Sequence, residues 1–226
     1  MLIVAIDTSG RKGSVALCRG DADSFEVLRL IQLEGGTYSA RLIPTISSLL
    51  ECNRFDKKNV DGFVVVSGPG SFTGLRVGLA TVKGLCEVWQ KPLAVVSMLE
   101  AVAVTYGSGG ETVTAVSDAG RGEVYVGEYR LSAEGFSLER EYIVKLAELA
   151  DEAARVGGEL LTPDAGITEL LQSAGNKVRQ VAPVQADGIA RIGLRKLLAG
   201  EVADAASVDV NYIRRSDAEI FSAPKG

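Results

Sequence analysis

Gly62–Trp89 reads GFVVVSGPGSFTGLRVGLATVKGLCEVW. The β-branched run Val64-Val65-Val66, with Phe63 before it, predicts a buried strand over Phe63–Ser67. Small residues follow, Ser67-Gly68-Pro69-Gly70-Ser71-Phe72-Thr73-Gly74, and feed a helical pattern that lasts to about Gln90. Strand, glycine loop and helix N-terminus together can present backbone N–H groups to an anion. The loop fits no named phosphate motif. Gly74 comes one residue late for GxGxxG, and no Lys-Ser/Thr follows a second glycine. The alternative is a tight strand-to-helix turn with Ser71 or Thr73 as N-cap.

At about 100° per residue, Arg76, Lys83, Glu87 and Gln90 share one polar strip. Leu75, Leu79, Val82, Cys86 and Trp89 form one apolar face, and Val77, Ala80, Gly84 and Val88 a second. Gly74, Gly78 and Thr81 lie between them, small enough for close backbone approach. The helix is apolar over more of its circumference than one sheet can cover. It is therefore either central and buried, or packed both on its sheet and on something else.

The 226 residues suffice for one large or two small domains. No apolar run approaches a membrane span, and Leu2–Ile6, interrupted by Asp7, is too short for a signal peptide, so a cytoplasmic location is expected. Cys18, Cys52 and Cys86 are far apart, in no metal or redox spacing. The chain has no histidine, which removes Ser-His-Asp and Cys-His catalysis and every histidine-held metal site. A net charge of −5 argues against a broad phosphate-neutralising surface.

In order, Leu2–Ile6, Ser14–Cys18 and Phe25–Gln32 read as three antiparallel strands. Thr37–Cys52 is a helix with Leu42, Ile43, Ile46, Leu49 and Leu50 as its core stripe. Pro44 places its start near Ala40, or else a bend at the proline. Pro92–Val96 is a strand, and Ser97 caps a helix to Ala103 or Tyr106. Gly107-Ser108-Gly109-Gly110 marks a boundary, giving domains 1–107 and 108–226. The second half repeats the pattern loosely: strands at Thr112–Val116, Glu123–Arg130 and Phe136–Tyr142, a helix Leu146–Ala154, a short strand Leu160-Leu161 and a helix Ile167–Ser173. Asp187 caps a last helix Gly188–Ala199, stopped at Gly200, and the segment Asn211–Glu219 is a docked polar loop. The class is α/β with a mixed sheet in each half.

Four segments together resemble the bacterial TsaB (YeaZ) family: Ile6-Asp7-Thr8-Ser9, the Ser67–Gly78 stretch, Gly122-Glu123-Val124-Tyr125, and Tyr212-Ile213-Arg214-Arg215-Ser216-Asp217-Ala218-Glu219. They occur in the family's order over nearly the whole chain. The resemblance implies an actin-like ATPase (sugar kinase/Hsp70/actin) fold of two RNase-H-like domains with mixed five-stranded sheets. It implies a role in making threonylcarbamoyladenosine next to the anticodon of tRNA. There the chain would be a non-catalytic subunit that heterodimerises with TsaD, the catalytic subunit, while TsaE, an ATPase, joins the pair. TsaD-like enzymes hold a metal through histidines, which this chain lacks.

The resemblance carries the partner interface to Ser39–Leu50 and Thr73–Gln90, at Arg41, Leu42, Thr45, Leu49, Gly74, Val77, Gly78, Thr81 and Leu85. Alone, the same surface would form a homodimer. Candidate nucleotide or phosphate contacts are Asp7, Thr8, Ser9, Gly68, Gly70, Ser71 and Asp118. No tightly bound cofactor is expected, with ATP or ADP at the complex interface and tRNA reached only through the complex. Two departures bear on nucleotide contact: Asp118-Ala119-Gly120-Arg121-Gly122 carries its Arg one place late, and Tyr38 stands where several relatives have His. A weak ATPase or small-molecule kinase is the other reading, with Asp7 and Asp118 holding a hydrated magnesium ion, or else simply bonding their own turns. A peptidase would need a Ser-Lys or N-terminal Thr scheme, and the sequence offers neither in a convincing setting.

Overall fold

The computed structural model describes residues 1–107, 112–132, 135–156, 159–211 and 213. Contacts divide the chain into two units. The first is Met1–Ala101 with Pro183–Val210, and the second is Val102–Ala182 together with Asn211.

In the first unit β1 (Leu2–Asp7), β2 (Lys12–Gly20) and β3 (Phe25–Glu34) form an antiparallel meander. Helix α1 (Tyr38–Cys52) leads to β4 (Gly62–Gly68), which pairs parallel with β1. Helix α2 (Phe72–Trp89) then leads to β5 (Leu93–Ser97), parallel to β4. The order is β3-β2-β1-β4-β5. Every residue of β4 is buried because both of its faces are covered. Phe63 meets Trp89 of α2 with ring centroids 5.4 Å apart, while the next residue, Val64, turns to the opposite face. There it meets Gly193 of α6 (Ala186–Ala199), where an added Cβ would lie 2.2 Å from Val64 Cγ1.

That helix corrects the domain boundary. It follows the second sheet in sequence, but its buried residues, Ala186, Ile189, Ala190, Gly193 and Leu197 among them, pack on β1, β2 and β4. The Ala186 N–H donates to Ser14 Oγ at 2.9 Å, and Lys196 Nζ donates to Glu100 at 2.7 Å. The division falls inside α3 (Met98–Tyr106), and the expected boundary at Ser108–Gly110 lies outside the described residues.

The second unit repeats the plan. Antiparallel β6 (Thr112–Gly120), β7 (Glu123–Ser132) and β8 (Gly135–Lys145) are followed by α4 (Leu146–Val156), β9 (Leu160–Thr162), α5 (Ala165–Ser173) and β10 (Val178–Gln180). β9 is parallel to β6, and β10 to β9. The order β10-β9-β6-β7-β8 is that of the first sheet, with its own core around Val116, Val126, Leu149, Leu160 and Leu171. Each unit is RNase-H-like, and the fold is of the actin-like ATPase class.

Local details differ from the sequence reading. α1 starts at Tyr38, so Pro44 lies inside it. The proline lacks the N–H that would reach the Ala40 carbonyl, and Ala40 is exposed, where water can take its place. Ile43, read as core, is 49% exposed at the edge of the stripe. α6 starts at Ala186 after Gln185, so Asp187 sits in its first turn rather than at the cap. Strand β10 was not anticipated: Val178-Arg179-Gln180 has no apolar run to announce it. Apart from Asn211 and Ile213, the polar segment at 211–219 lies outside the described residues.

Candidate functional site

The loop after β1 is turned inward. Asp7 Oδ1 accepts from the Ser9 N–H at 2.8 Å and from Ser9 Oγ at 2.6 Å. Burial pushes the Asp7 carboxyl above its ordinary range, and the two Ser9 hydrogen bonds pull it part of the way back. Thr8, 1% exposed, donates its hydroxyl to the Gly74 carbonyl at 2.8 Å. Tyr38 donates to the Gly10 carbonyl at 2.7 Å, and its phenol is pushed up to about 12 by burial, then by the charges of Asp7 and Glu34.

The glycine loop packs on that same segment. The Ser71 N–H donates to the Ser9 carbonyl at 2.6 Å. A Cβ at Gly70, whose φ is 154°, would lie 2.5 Å from that Ser9 oxygen. Gly68, φ 137°, precedes a cis peptide to Pro69. Ser71 is the N-cap of α2, accepting from the Gly74 N–H at 3.3 Å. A Cβ at Gly74 would lie 2.0 Å from Thr8 O, and one at Gly78 2.2 Å from Thr8 Oγ1. Of the two readings of Gly68–Gly74, the tight turn describes what is seen: its glycines admit the Thr8-Ser9 backbone, and Ser71 caps the helix.

In the second unit, Asp118 Oδ1 accepts from the Gly120 N–H at 2.8 Å. The Asp118 N–H donates to Asp164 Oδ2 at 3.0 Å. Burial raises the Asp164 carboxyl; the Asp118 N–H opposes this and the Asp118 charge adds to it. Arg121, in the departing motif, takes a left-handed φ of 59° between Gly120 and Gly122. Asp7 and Asp118 thus each bond their own turn. Among the described residues no group of three or more Cys, Asp or Glu side chains could hold a metal ion.

The two apolar faces of α2 separate cleanly. Leu75, Leu79, Val82 and Cys86 are core. On the second face Val88 is 74% exposed, Ala80 and Gly84 are exposed and Val77 is half-buried, as are Thr81 and Leu85 beside that face. Beyond Leu85 an apolar groove of about 370 Å³ runs between α1 and α2, lined by Ile43, Ser47, Leu50, Phe55, Leu85 and Trp89, among others.

A family model described as "TsaD: tRNA N6-adenosine threonylcarbamoyltransferase" matches residues 35–215. The "tRNA threonylcarbamoyladenosine biosynthesis protein TsaB" of Bacillus subtilis is 34% identical over 130 residues, 58% of this chain and 56% of the relative. The chain belongs to the TsaB (YeaZ) family. The protein of the same description from Escherichia coli is 29% identical over 170 residues, 74% of this chain and 72% of that relative. The chain thus spans just over half the length of the Bacillus TsaB in the matched region. The solved structure "YeaZ from Pseudomonas aeruginosa" superposes with a TM-score of 0.70 at 25% identity, covering 92% of this chain and 98% of that one.

Within this TsaB-family chain the expected interface residues fall into two groups. Leu42, Thr45, Leu49, Gly74 and Gly78 are buried by the chain's own atoms. Arg41 is exposed, and Val77, Thr81 and Leu85 are part-exposed. The interface set implied by the resemblance leaves out Ile43 and Val88, which stand outward, and sequence reasoning assigned Tyr38 no role as the clamp on the first loop. Val88 had a signal, since it completes the second apolar face. Ile43 had none, because it sits within the arc of a core stripe. Among the described residues no helix is long and apolar enough to cross a membrane.

Proposed function

We propose that this chain acts in the formation of threonylcarbamoyladenosine on tRNA as a non-catalytic partner subunit. It heterodimerises with a TsaD-like catalytic subunit through the outer side of α1 and α2, and a TsaE-like ATPase joins the pair. The observation that carries this reading is the uncovered apolar face of α2, with Val88 74% exposed beside Ala80, Gly84 and Val77. Desolvating such a face against a matching helix releases roughly 25 cal/mol per Å² of apolar surface. The absence of histidine supports placing any histidine-held metal on the partner. The net charge of −5 supports tRNA contact through the complex. ATP or ADP belongs to the interface of the assembly, and without its partner the chain uses the same face for a two-fold homodimer.

The reading places the chain in the cytoplasm, and its test is reconstitution from purified components. The purified chain alone is expected to leave tRNA unmodified. Addition of the TsaD-like subunit of the same cell, with the TsaE-like ATPase, ATP and threonylcarbamoyl-AMP, is expected to give modified tRNA. Titration calorimetry is expected to show the two actin-like chains binding, and no heat of binding would end the reading. The inward-turned Asp7, Thr8 and Ser9 do not favour the kinase alternative.

A further inference from the structure

We propose that Thr8 is the positioning residue of the docking face, setting how deeply α2 sits and so where its outer residues stand. The inference rests on the pairing just proposed. Thr8 lies in the loop after β1, buried, with its hydroxyl hydrogen-bonded at 2.8 Å to the carbonyl of Gly74. That carbonyl faces the Gly78 N–H along the helix, so the Thr8 bond uses its second lone pair.

The fit is close on both turns. A methyl group at Gly74 would stand 2.0 Å from Thr8 O, and one at Gly78 2.2 Å from Thr8 Oγ1. Glycine inside a helix costs roughly 1 kcal/mol against alanine, and α2 carries both glycines where Thr8 presses. Ala80 is two residues past Gly78, hence about 160° around the helix from it, on the exposed side. Val77 and Val88 stand about 100° and about 80° around the helix from Gly78, so a change in the Thr8 contact moves Ala80 outward and shifts Val77 and Val88 sideways, altering where the face that would meet the partner stands. Thr8 is itself held in place: Ser9 bonds Asp7, Ser71 bonds the Ser9 carbonyl, and Tyr38 bonds Gly10.

Thr8→Val keeps the shape of the side chain but sets a methyl where the hydroxyl was. A carbon cannot approach a carbonyl oxygen closer than about 3.3 Å, so α2 must move outward by about half an ångström. The Gly74 carbonyl keeps its helical bond, so no buried group is orphaned. Thr8→Ser keeps the hydroxyl. Calorimetric titration of each variant with the TsaD-like subunit, alongside thermal melting and hydrogen exchange of α2, tests the role. Thr8→Val is expected to melt cooperatively yet bind the partner ~tenfold more weakly, a coupling of ordinary size. Thr8→Ser is expected to restore binding to within about twofold. A merely structural Thr8 would lower the melting temperature and leave the affinity of the folded chain unchanged, and that result overturns the inference. Absence of binding by the unaltered chain overturns the pairing and this inference with it. Binding by the unaltered chain that Thr8→Val leaves intact overturns the inference alone.

Discussion

Ser9 places both its backbone N–H, at 2.8 Å, and its hydroxyl, at 2.6 Å, on one carboxylate oxygen of Asp7. The carboxyl is buried, and burial outweighs these bonds, so its pKa in the folded chain lies above 3.8. A raised carboxyl binds its proton more tightly folded than unfolded. Its favourable contribution is full below 3.8 and is lost as pH rises through the folded value. Asp7→Asn, which keeps an oxygen for Ser9 and removes the charge, is expected to be at least as stable as the unaltered chain at pH 8. The advantage should shrink on going to pH 4. Urea unfolding at the two pH values measures it, and the same variant should still support tRNA modification in the reconstituted assembly.

The glycines of α2 differ in what surrounds them. Gly74 faces backbone (Thr8 O, 2.0 Å), Gly78 a side chain (Thr8 Oγ1, 2.2 Å), and Gly84 has nothing within 4 Å among the described residues. Helix propensity alone favours alanine at all three by roughly 1 kcal/mol. Overpacking reverses the sign at the first two, by about 1–3 kcal/mol. The expected order of stability in urea unfolding is Gly84→Ala above the unaltered chain, then Gly78→Ala, then Gly74→Ala. A charge at Gly78 would therefore test the core rather than the docking face.

Much of this was legible from residue patterns. A strand buried on both faces reads as an unbroken apolar run, as Phe63–Val66 does, and the surplus apolar face of α2 is visible from spacing alone. What spacing cannot give is which small residue faces which neighbour. Gly74 and Gly78 looked equally suited to a second polypeptide and to the chain itself, and the answer lies with Thr8, over sixty positions away in sequence. The place of α6 was hidden for the same reason. Its apolar stripe says that it packs, while only the match between Gly193 and Val64 says on which sheet.

That match gives a further expectation. Gly193→Ala brings a methyl within 2.2 Å of Val64 Cγ1 and is expected to destabilise the chain by about 1–3 kcal/mol in urea unfolding. A fragment ending at 107 lacks α6 and exposes the faces of β1, β2 and β4 that α6 covers. It is expected to show no cooperative thermal transition, whereas a cooperative melt would place α6 elsewhere.

The thiols should separate by burial. Burial pushes Cys18 up to about 12, with Asp187 adding and Arg191 opposing, and Cys86 up to about 11. Cys52 is exposed. Titration of the native chain with a disulfide reagent at pH 8 is expected to modify Cys52 alone, with the other two reacting only after unfolding. Rapid reaction of all three would contradict the packing of β2 and α2.

The most direct test of the account is calorimetric titration of the TsaD-like subunit with the unaltered chain and with Val88→Asp. Val88 is 74% exposed, so the substitution touches the outer face of α2 and little else. Val88→Asp is expected to melt as the unaltered chain does and to lose binding. A variant that melts normally and pairs as tightly as the unaltered chain would show that the catalytic partner docks somewhere other than this helix.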